Sequence, residues 1–311
     1  MVDLAPVQES FAEALLAGLS RPRKAIPPRF LYDARGSELF EAITRLPEYY
    51  PTRAELEILD RHAGEMGEGI GPGAVLIEFG AGSARKAQAL LKGLQAPVAY
   101  APIDVSLSAL TASADEIAAA RPELPVVAVC ADYGQPFDLP PLAQGRGVGF
   151  FPGSTIGNLQ RSEARAFLEL WAPKLGEGGA MLVGVDLKKP SAIVVPAYDD
   201  AQGTTAQFSL NVLARANREL GGDFDLDGFA HRVDYDEASG RVAIHLESLR
   251  EQRAQAAGRT FAFAAGERIH VEDSWKYAPD DFRALAESAG YRPARMWTDD
   301  AERFSVHLLE L

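Results

Sequence analysis

A glycine turn followed by two acids at regular strand ends is the part of this chain best placed to do chemistry. The run Ile77-Glu78-Phe79-Gly80-Ala81-Gly82-Ser83-Ala84-Arg85-Lys86 reads as strand, tight turn and helix N-terminus. Glycine has no Cβ, so such a turn lets backbone come close to a ligand. It would open a nucleotide-binding α/β domain. Asp104 ends the next apolar run, where an acid can accept both hydroxyls of a ribose. Asp132, followed by Tyr133, ends the one after, where an acid can accept an adenine amino group. A single Asp after a strand is ordinarily a turn or cap residue. The ordered set, each member on its own strand end, points instead to a nucleoside ligand. Arg85 stands where a dinucleotide fingerprint has its third glycine or alanine, which weighs against a nicotinamide cofactor and an oxidoreductase. Glu78 either touches the ligand or holds the backbone of the turn.

These residues need a sheet to position them. From Ala74 the pattern alternates: strands over Ala74–Phe79, 98–103, 126–130, 147–151 and 180–185, with helices over 83–94, from Ser106, and over 162–175. Repeated β-α-β alternation predicts a parallel, doubly wound sheet, which binds ligands at the carboxyl ends of its strands. Asn158 and Asp186 fall at such ends too. Beyond 186 the pattern changes. A helix over 204–220 precedes alternating segments at 229–235, 241–249 and 259–263, with Asp236–Gly240 as a hairpin loop. A helix over 281–289 and strands over 292–297 and 304–309 return to the earlier style. The expected division is discontinuous: 54–188 plus 277–311 as the nucleotide-binding domain, and 1–53 plus 189–276 as a second domain with the pocket at their junction. The N-terminal arm contributes an amphipathic helix over 8–19, a proline-rich extended linker, and a helix capped by Ser37 that runs through Ile43. Its Tyr and Phe residues suit either a packed layer or a pocket wall.

Composition limits the function classes. The 311 residues carry a formal net charge of -13, with Lys and Arg scattered, so neither nucleic acid nor an anionic membrane is an expected partner. An apolar fraction of 47% suffices for a sizeable core. The single cysteine, Cys130, excludes an intrachain disulfide. The five histidines, His62, His231, His245, His270 and His307, show no ligand spacing, and no metal site is expected. No secretory leader or membrane span is read, so the expected setting is the cytoplasm.

The pattern Glu-x-Gly-x-Gly-Ser at 78–83 resembles the first motif of class I S-adenosylmethionine-dependent methyltransferases, in which the loop lies by the methionine part of the cofactor. Longer stretches are more specific. Phe30-Leu31-Tyr32-Asp33-Ala34-Arg35-Gly36-Ser37-Glu38-Leu39-Phe40 and Ile43-Thr44-Arg45-Leu46-Pro47-Glu48-Tyr49-Tyr50-Pro51-Thr52-Arg53 closely resemble the N-terminal signature of the L-histidine Nα-methyltransferase family of ergothioneine biosynthesis. So do Phe151–Leu159, Ala197–Asp200 and Glu272–Tyr277. The resemblance spans nearly the whole chain.

It implies a Rossmann-like class I methyltransferase domain with a substrate-binding domain built from the N-terminal arm and an inserted antiparallel segment. It implies trimethylation of the α-amino group of L-histidine to hercynine, with S-adenosylmethionine released as S-adenosylhomocysteine, and a monomer. By motif, Tyr32 resembles a tyrosine near the reacting nitrogen, the candidate catalytic residue, with Phe40 as an aromatic wall. Tyr49 resembles a contact to the substrate head. Asn158 and Tyr198 resemble the pair holding the carboxylate or amino group, with Gly153 offering backbone beside them. Glu272 and Ser274 resemble the pair that recognises the imidazole. On the cofactor side, Gly80, Ser83 and Lys86 line the loop, Asp104 meets the ribose, and Asp132 and Tyr133 meet the adenine. At Val271 the family commonly has a small polar residue, and at Asp273 an uncharged one. The alternatives are an enzyme of the same fold acting on another amino acid such as tryptophan, or a silent methyltransferase-like scaffold.

Overall fold

The computed structural model describes residues 1–4 and 9–311. The described chain divides into two compact units. The first holds the initial residues, Pro51–Lys188 and Trp275–Leu311; the second holds residues 9–50 and Lys189–Ser274.

The first unit is built on an eight-stranded sheet. From one edge its strands are Val2–Asp3, Val129–Cys130, Ala99–Asp104, Ala74–Phe79, Arg146–Phe151, Ala180–Asp186, Phe304–Glu310 and Arg292–Thr298. Seven of them point the same way; Phe304–Glu310 alone is reversed and pairs antiparallel with both of its neighbours, Ala180–Asp186 and Arg292–Thr298. Every residue of Ala74–Phe79 and Ala180–Asp186 is buried, as expected of central strands covered on both faces. Chain order runs one way from Ala74–Phe79 and the other way from Arg146–Phe151, so a topological switch point lies between them, at the carboxyl end where the glycine turn emerges. The strand expected over 126–130 is a ladder only at Val129–Cys130, with a single bridge from Val126 to Tyr100. Helix Leu107–Ala120 is capped by Ser106, as its sequence predicts.

The second unit packs helices Phe11–Leu19, Ala34–Ile43, Ser191–Tyr198 and Thr204–Glu219 with a four-stranded sheet and a separate hairpin. The sheet order is Lys24–Ala25, Arg268–Trp275, Arg241–Ser248, Phe229–Asp236. Its central hairpin turns at 237–240, within the loop read from the sequence. The segment read at 259–263 is a strand, and its hairpin partner Gln252–Ala256 went unread because the turn between them, Ala257-Gly258, has positive φ at both positions with Ala at the first. Helix Phe11–Leu19 starts in a capping box, with Ser10 accepting from the Glu13 N–H while the Glu13 carboxylate accepts from the Ser10 N–H. Of the rest of that predicted helix, Glu9 and Ser10 precede its first turn and Gln8 lies outside the described residues.

One cap differs from expectation. Helix Ala34–Ile43 is capped by Asp33, and Ser37 lies inside its first turn. Asp33 Oδ1 accepts the Gly36 N–H and the Asn211 side-chain amide, both at 2.7 Å, so this acid both starts the helix and ties it to Thr204–Glu219. A serine four residues later has no free N–H group at the helix start to accept from.

Candidate active site

In the first unit the glycine turn is held from beneath. Gly80 has φ +80°, a conformation that other L residues rarely adopt, and its N–H donates to Ile103 O at 2.9 Å. A Cβ there would lie 3.7 Å from the Tyr133 hydroxyl, so Gly80 and Tyr133 share one corner. Gly82 and Ser83 are exposed, with open space where a Gly82 Cβ would point. Glu78 lies under the turn, buried, and accepts a hydrogen bond from the Tyr100 hydroxyl. Burial pushes the Glu78 carboxyl up to about 8, with the Tyr100 hydroxyl and the Lys86 ammonium opposing it. Glu78 is therefore mostly a neutral acid at pH 7 and supports the turn.

Asp104 is mostly buried, and burial raises its carboxyl above the ordinary range against the pull of the Ser106 and Val105 N–H groups. Its Oδ1 accepts the Ser106 N–H at 2.8 Å. Asp132 Oδ1 accepts the Gly134 N–H at 2.9 Å, and Tyr133 packs among Phe79, Phe151 and Phe167. Both acids close a local turn at the carboxyl end of a strand, and a carboxylate has more lone pairs than such a turn uses. An exposed glycine, a mostly buried acid after the second strand and an acid–tyrosine pair after the third fit an adenosyl ligand with a flexible polar tail.

Lys86 meets a residue that sequence reasoning missed. Its ammonium lies 2.6 Å from Glu55 Oε2, and the Gly153 N–H donates to both Glu55 oxygens at 2.9 Å. Glu55 belongs to helix Tyr50–Ile70 and sits on its buried face with Ala54, Ile58 and Leu59. A charged residue on the apolar stripe of a helix was the available signal. After Gly153 (φ +80°), Ser154 is a buried non-glycine residue at φ +56°. Its hydroxyl accepts the Asp186 N–H at 3.0 Å, which holds this turn in place. The turn leads into the short 3-10 helix Thr155–Asn158, so Asn158 is presented by an anchored segment. Asp186, another strand-end acid, forms a fully buried ion pair with Lys276 at 2.7 Å. That is a structural use of the acid, since breaking such a pair leaves a buried charge uncompensated.

The second unit brings together the aromatic residues singled out from the N-terminal arm. Tyr32 packs edge-on to Phe40 and Phe208, Phe40 to Tyr49, and Tyr49 to Tyr198, with ring centroids 5.2 to 6.2 Å apart. Tyr32 is the exposed member, 37% accessible, whereas Tyr49 is buried. Phe208, from helix Thr204–Glu219, completes the cluster; in sequence it was only one apolar position of a helical period. The Tyr198 hydroxyl hydrogen-bonds the Ser274 hydroxyl at 3.0 Å. Glu272 and Ser274 are both buried and two apart on strand Arg268–Trp275, hence on one face. Asp273, between them in sequence, is bound by Arg241 and His270 at 2.9 Å each. Burial would raise its carboxyl, but His270 and Arg241 hold it below the ordinary range. Its charge is thus compensated by these two partners.

Two neighbours fix Tyr198. His231 Nε2 lies 2.8 Å from Tyr198 O, and burial lowers this imidazole's affinity for a proton, so the neutral ring donates there. Asp200 accepts the N–H groups of Gln202, Thr204 and Thr205 and starts the next helix. The acids of Ala197-Tyr198-Asp199-Asp200 therefore include one that is architectural. Asn158 and Gly153 belong to the first unit, and Tyr198, Tyr49, Tyr32, Phe40, Glu272 and Ser274 to the second. Among the described residues no group of three or more His, Cys, Asp or Glu side chains converges as a metal site would require, although the rings of His245 and His270 pack 5.3 Å apart. Among the described residues no helix is long and apolar enough to cross a membrane.

Comparison with known proteins bears on the reaction. The chain is 39% identical over 309 residues to the histidine N-alpha-methyltransferase of Mycolicibacterium smegmatis, covering 96% of both chains. It is 40% identical over 297 residues to the protein of the same name from Mycobacterium tuberculosis, covering 94% of this chain and 92% of that one. Ergothioneine biosynthesis protein 1 of Neurospora crassa is 31% identical over 306 residues, with 94% of this chain matching 34% of that longer protein. A model of the S-adenosylmethionine-dependent, histidine-specific methyltransferases matches residues 11–311. The chain belongs to that family.

Proposed function

We propose that this protein transfers three methyl groups in succession from S-adenosylmethionine to the α-amino nitrogen of L-histidine, giving hercynine, the first step of ergothioneine biosynthesis. The observation that carries this reading is the buried Glu272–Ser274 face, hydrogen-bonded to Tyr198 and joined through it to the aromatic cluster. A carboxylate and a hydroxyl two residues apart can meet the two ring nitrogens of an imidazole. An apolar side chain there would leave both buried groups unpaired, which disfavours it strongly.

The other roles follow from residue chemistry. Asp104 accepts the ribose hydroxyls, Asp132 with Tyr133 holds the adenine, and Gly80, Ser83 and Lys86 receive the methionine part. S-adenosylmethionine, when bound, supplies a methyl group on a sulfonium sulfur. The protein's task is then alignment, because displacement requires the nitrogen on the far side of the methyl carbon from the sulfur. Asn158, Tyr198, Tyr49 and the Gly153 backbone fix the head of the amino acid. The amine reacts only when neutral. Partial desolvation beside Phe40 favours that form, the Tyr32 oxygen orients the nitrogen by accepting an N–H, and the proton displaced by each methyl group passes to solvent without a dedicated base. The product carries a quaternary ammonium with no N–H, which aromatic faces such as those of Tyr32 and Phe40 attract. The mono- and dimethyl forms are taken as substrates of the same site, and the protein as a cytoplasmic monomer.

The deciding assay incubates purified protein with S-adenosylmethionine and each amino acid separately, histidine and tryptophan included. Mass spectrometry should find histidine carrying one, two and finally three added methyl groups. Methylated tryptophan with unmodified histidine would overturn the reading.

A further inference from the structure

We propose that Glu55 is a positioning residue shared by the cofactor and acceptor sides of the first unit, and that Gly184 is the residue that makes room for it. The proposal rests on the methyltransferase reading for the roles of Lys86 and Gly153. Three segments distant in sequence converge on one carboxylate. Its Oε2 holds the Lys86 ammonium at 2.6 Å, next to the glycine turn. Both of its oxygens accept the Gly153 N–H at 2.9 Å, at the head of the turn that presents Asn158. A Cβ on Gly184 would lie 2.1 Å from Glu55 Oε1, so any other residue at this buried strand position would push the carboxylate away. A Cβ on Gly153 would lie 3.2 Å from the Lys86 nitrogen. The carboxylate is fully buried, and the lysine side chain is 19% accessible.

An ammonium has three donors, and one is committed to Glu55. With that bond as a hinge, Lys86 can turn its other donors towards an anionic group above the loop, such as the carboxylate of the methionine part of S-adenosylmethionine. The same Glu55 carboxylate holds the peptide nitrogen of Gly153 and so sets where the following carbonyl and Asn158 stand. A pair that only stabilised the fold would need neither contact with the cofactor loop nor a bond to the Gly153 turn. Glu55 makes both.

The test uses the full chain with Glu55→Gln, Gly184→Ala, Lys86→Met and the double variant Glu55→Gln/Lys86→Met. Melting curves establish folding, titration with S-adenosylhomocysteine gives its Kd, and steady-state kinetics with histidine give kcat and both KM values. Glu55→Gln, close to isosteric, is expected to melt within a few degrees of wild type. Its Kd for S-adenosylhomocysteine should rise about 10-fold, and its kcat should fall about 10-fold, as expected on losing a charge-assisted hydrogen bond. Gly184→Ala should shift both in the same direction. The double variant should bind no worse than the weaker single variant, because the two residues act as one unit.

Wild-type Kd and kcat in both Glu55→Gln and Gly184→Ala would overturn the proposal. So would a loss of activity that follows the folded fraction alone, with both KM values and the Kd unchanged. If wild-type protein binds S-adenosylhomocysteine but leaves histidine unmethylated, the functional reading falls, and the titrations still decide the role of Glu55 towards Lys86.

Discussion

The two units hold their polar groups by different means. In the first, acids at strand ends and on one helix are each fixed by a backbone N–H, a hydroxyl or a lysine: Asp104 by Ser106, Asp132 by Gly134, Glu78 by Tyr100, Glu55 by Lys86 and Gly153, Asp186 by Lys276. In the second, aromatic edges pack in series from Tyr32 to Tyr198, and a hydroxyl pair, Tyr198 with Ser274, links them to the buried Glu272 strand. The first arrangement is set by backbone geometry at the end of a sheet and suits a ligand whose form does not vary. The second is set by side-chain packing, which changes with each substitution and suits discrimination among acceptors. Cofactor binding and acceptor choice should therefore be separable by mutation.

Glu272→Ala is the strongest attempt to break that separation. It removes the carboxylate of the Glu272–Ser274 face, and the loss of a buried carboxylate acceptor amounts to about 2–3 kcal/mol or more. kcat/KM for histidine should fall about 100-fold or more, with the Kd for S-adenosylhomocysteine within threefold of wild type. Equal losses in both would show that Glu272 holds the fold and that the units do not divide the work. The mirror experiment is Asp104→Asn. The amide keeps the turn at Ser106 in reach but accepts weakly, so the KM for S-adenosylmethionine should rise about 10-fold or more while the histidine KM stays within twofold. pH gives a second readout. Burial raises the Asp104 carboxyl, so it takes up a proton at higher pH than an ordinary carboxylate and then stops accepting hydroxyls. Acidification should raise the cofactor KM of wild type from a pH above the ordinary carboxylate range, and this limb should be missing in Asp104→Asn. A histidine KM that moves with it would contradict the division.

Legibility in the sequence followed the same line. The glycine turn, Asp104, Asp132 and the alternating strands could be read from spacing, because a parallel sheet puts successive strand ends at one edge and the chain repeats that instruction. The acceptor-side residues could be named only through resemblance, since nothing local to Tyr49 or Glu272 says that Tyr198 and Ser274 will link them. Phe208 was invisible for that reason, as its position fits any packed helix. Ser37 was misread as a cap because Ser, Thr, Asp and Asn are all good caps, and only the contact from Asn211 shows why Asp33 is chosen. Glu55 could have been found. Its place beside Ala54, Ile58 and Leu59 on one helix face sets a charge on an apolar stripe, and such a charge needs a buried partner. Asp273 was read as a departure from the imidazole pattern, and its carboxylate is taken up by Arg241 and His270, which compensate its charge.

The smallest expected effect on turnover belongs to Glu78→Gln, and it sharpens the account of the first unit. Glu78 is the one acid of that set that burial turns into a mostly neutral group at pH 7, with its carboxyl pushed up to about 8 from 4.5. A glutamine is neutral at every pH and can still accept from the Tyr100 hydroxyl, so kcat at pH 7 should stay within about threefold. Stability should separate the two proteins. Below 4.5 the acid is protonated both folded and unfolded, and pH has no hold on it. Between 4.5 and 8 the unfolded chain has lost the proton and the folded chain keeps it, so each rise in pH favours unfolding, by at most about 1.4 kcal/mol per unit. Above 8 both states are ionised and the loss levels off. Urea unfolding from pH 5 to 9 should therefore show wild type losing stability relative to Glu78→Gln up to about pH 8 and running parallel to it beyond. Parallel curves throughout would mean that Glu78 is ionised in the folded protein. The glycine turn would then rest on a buried charge that Tyr100 and Lys86 neutralise, and would depend on Lys86 for its stability as well as for the cofactor.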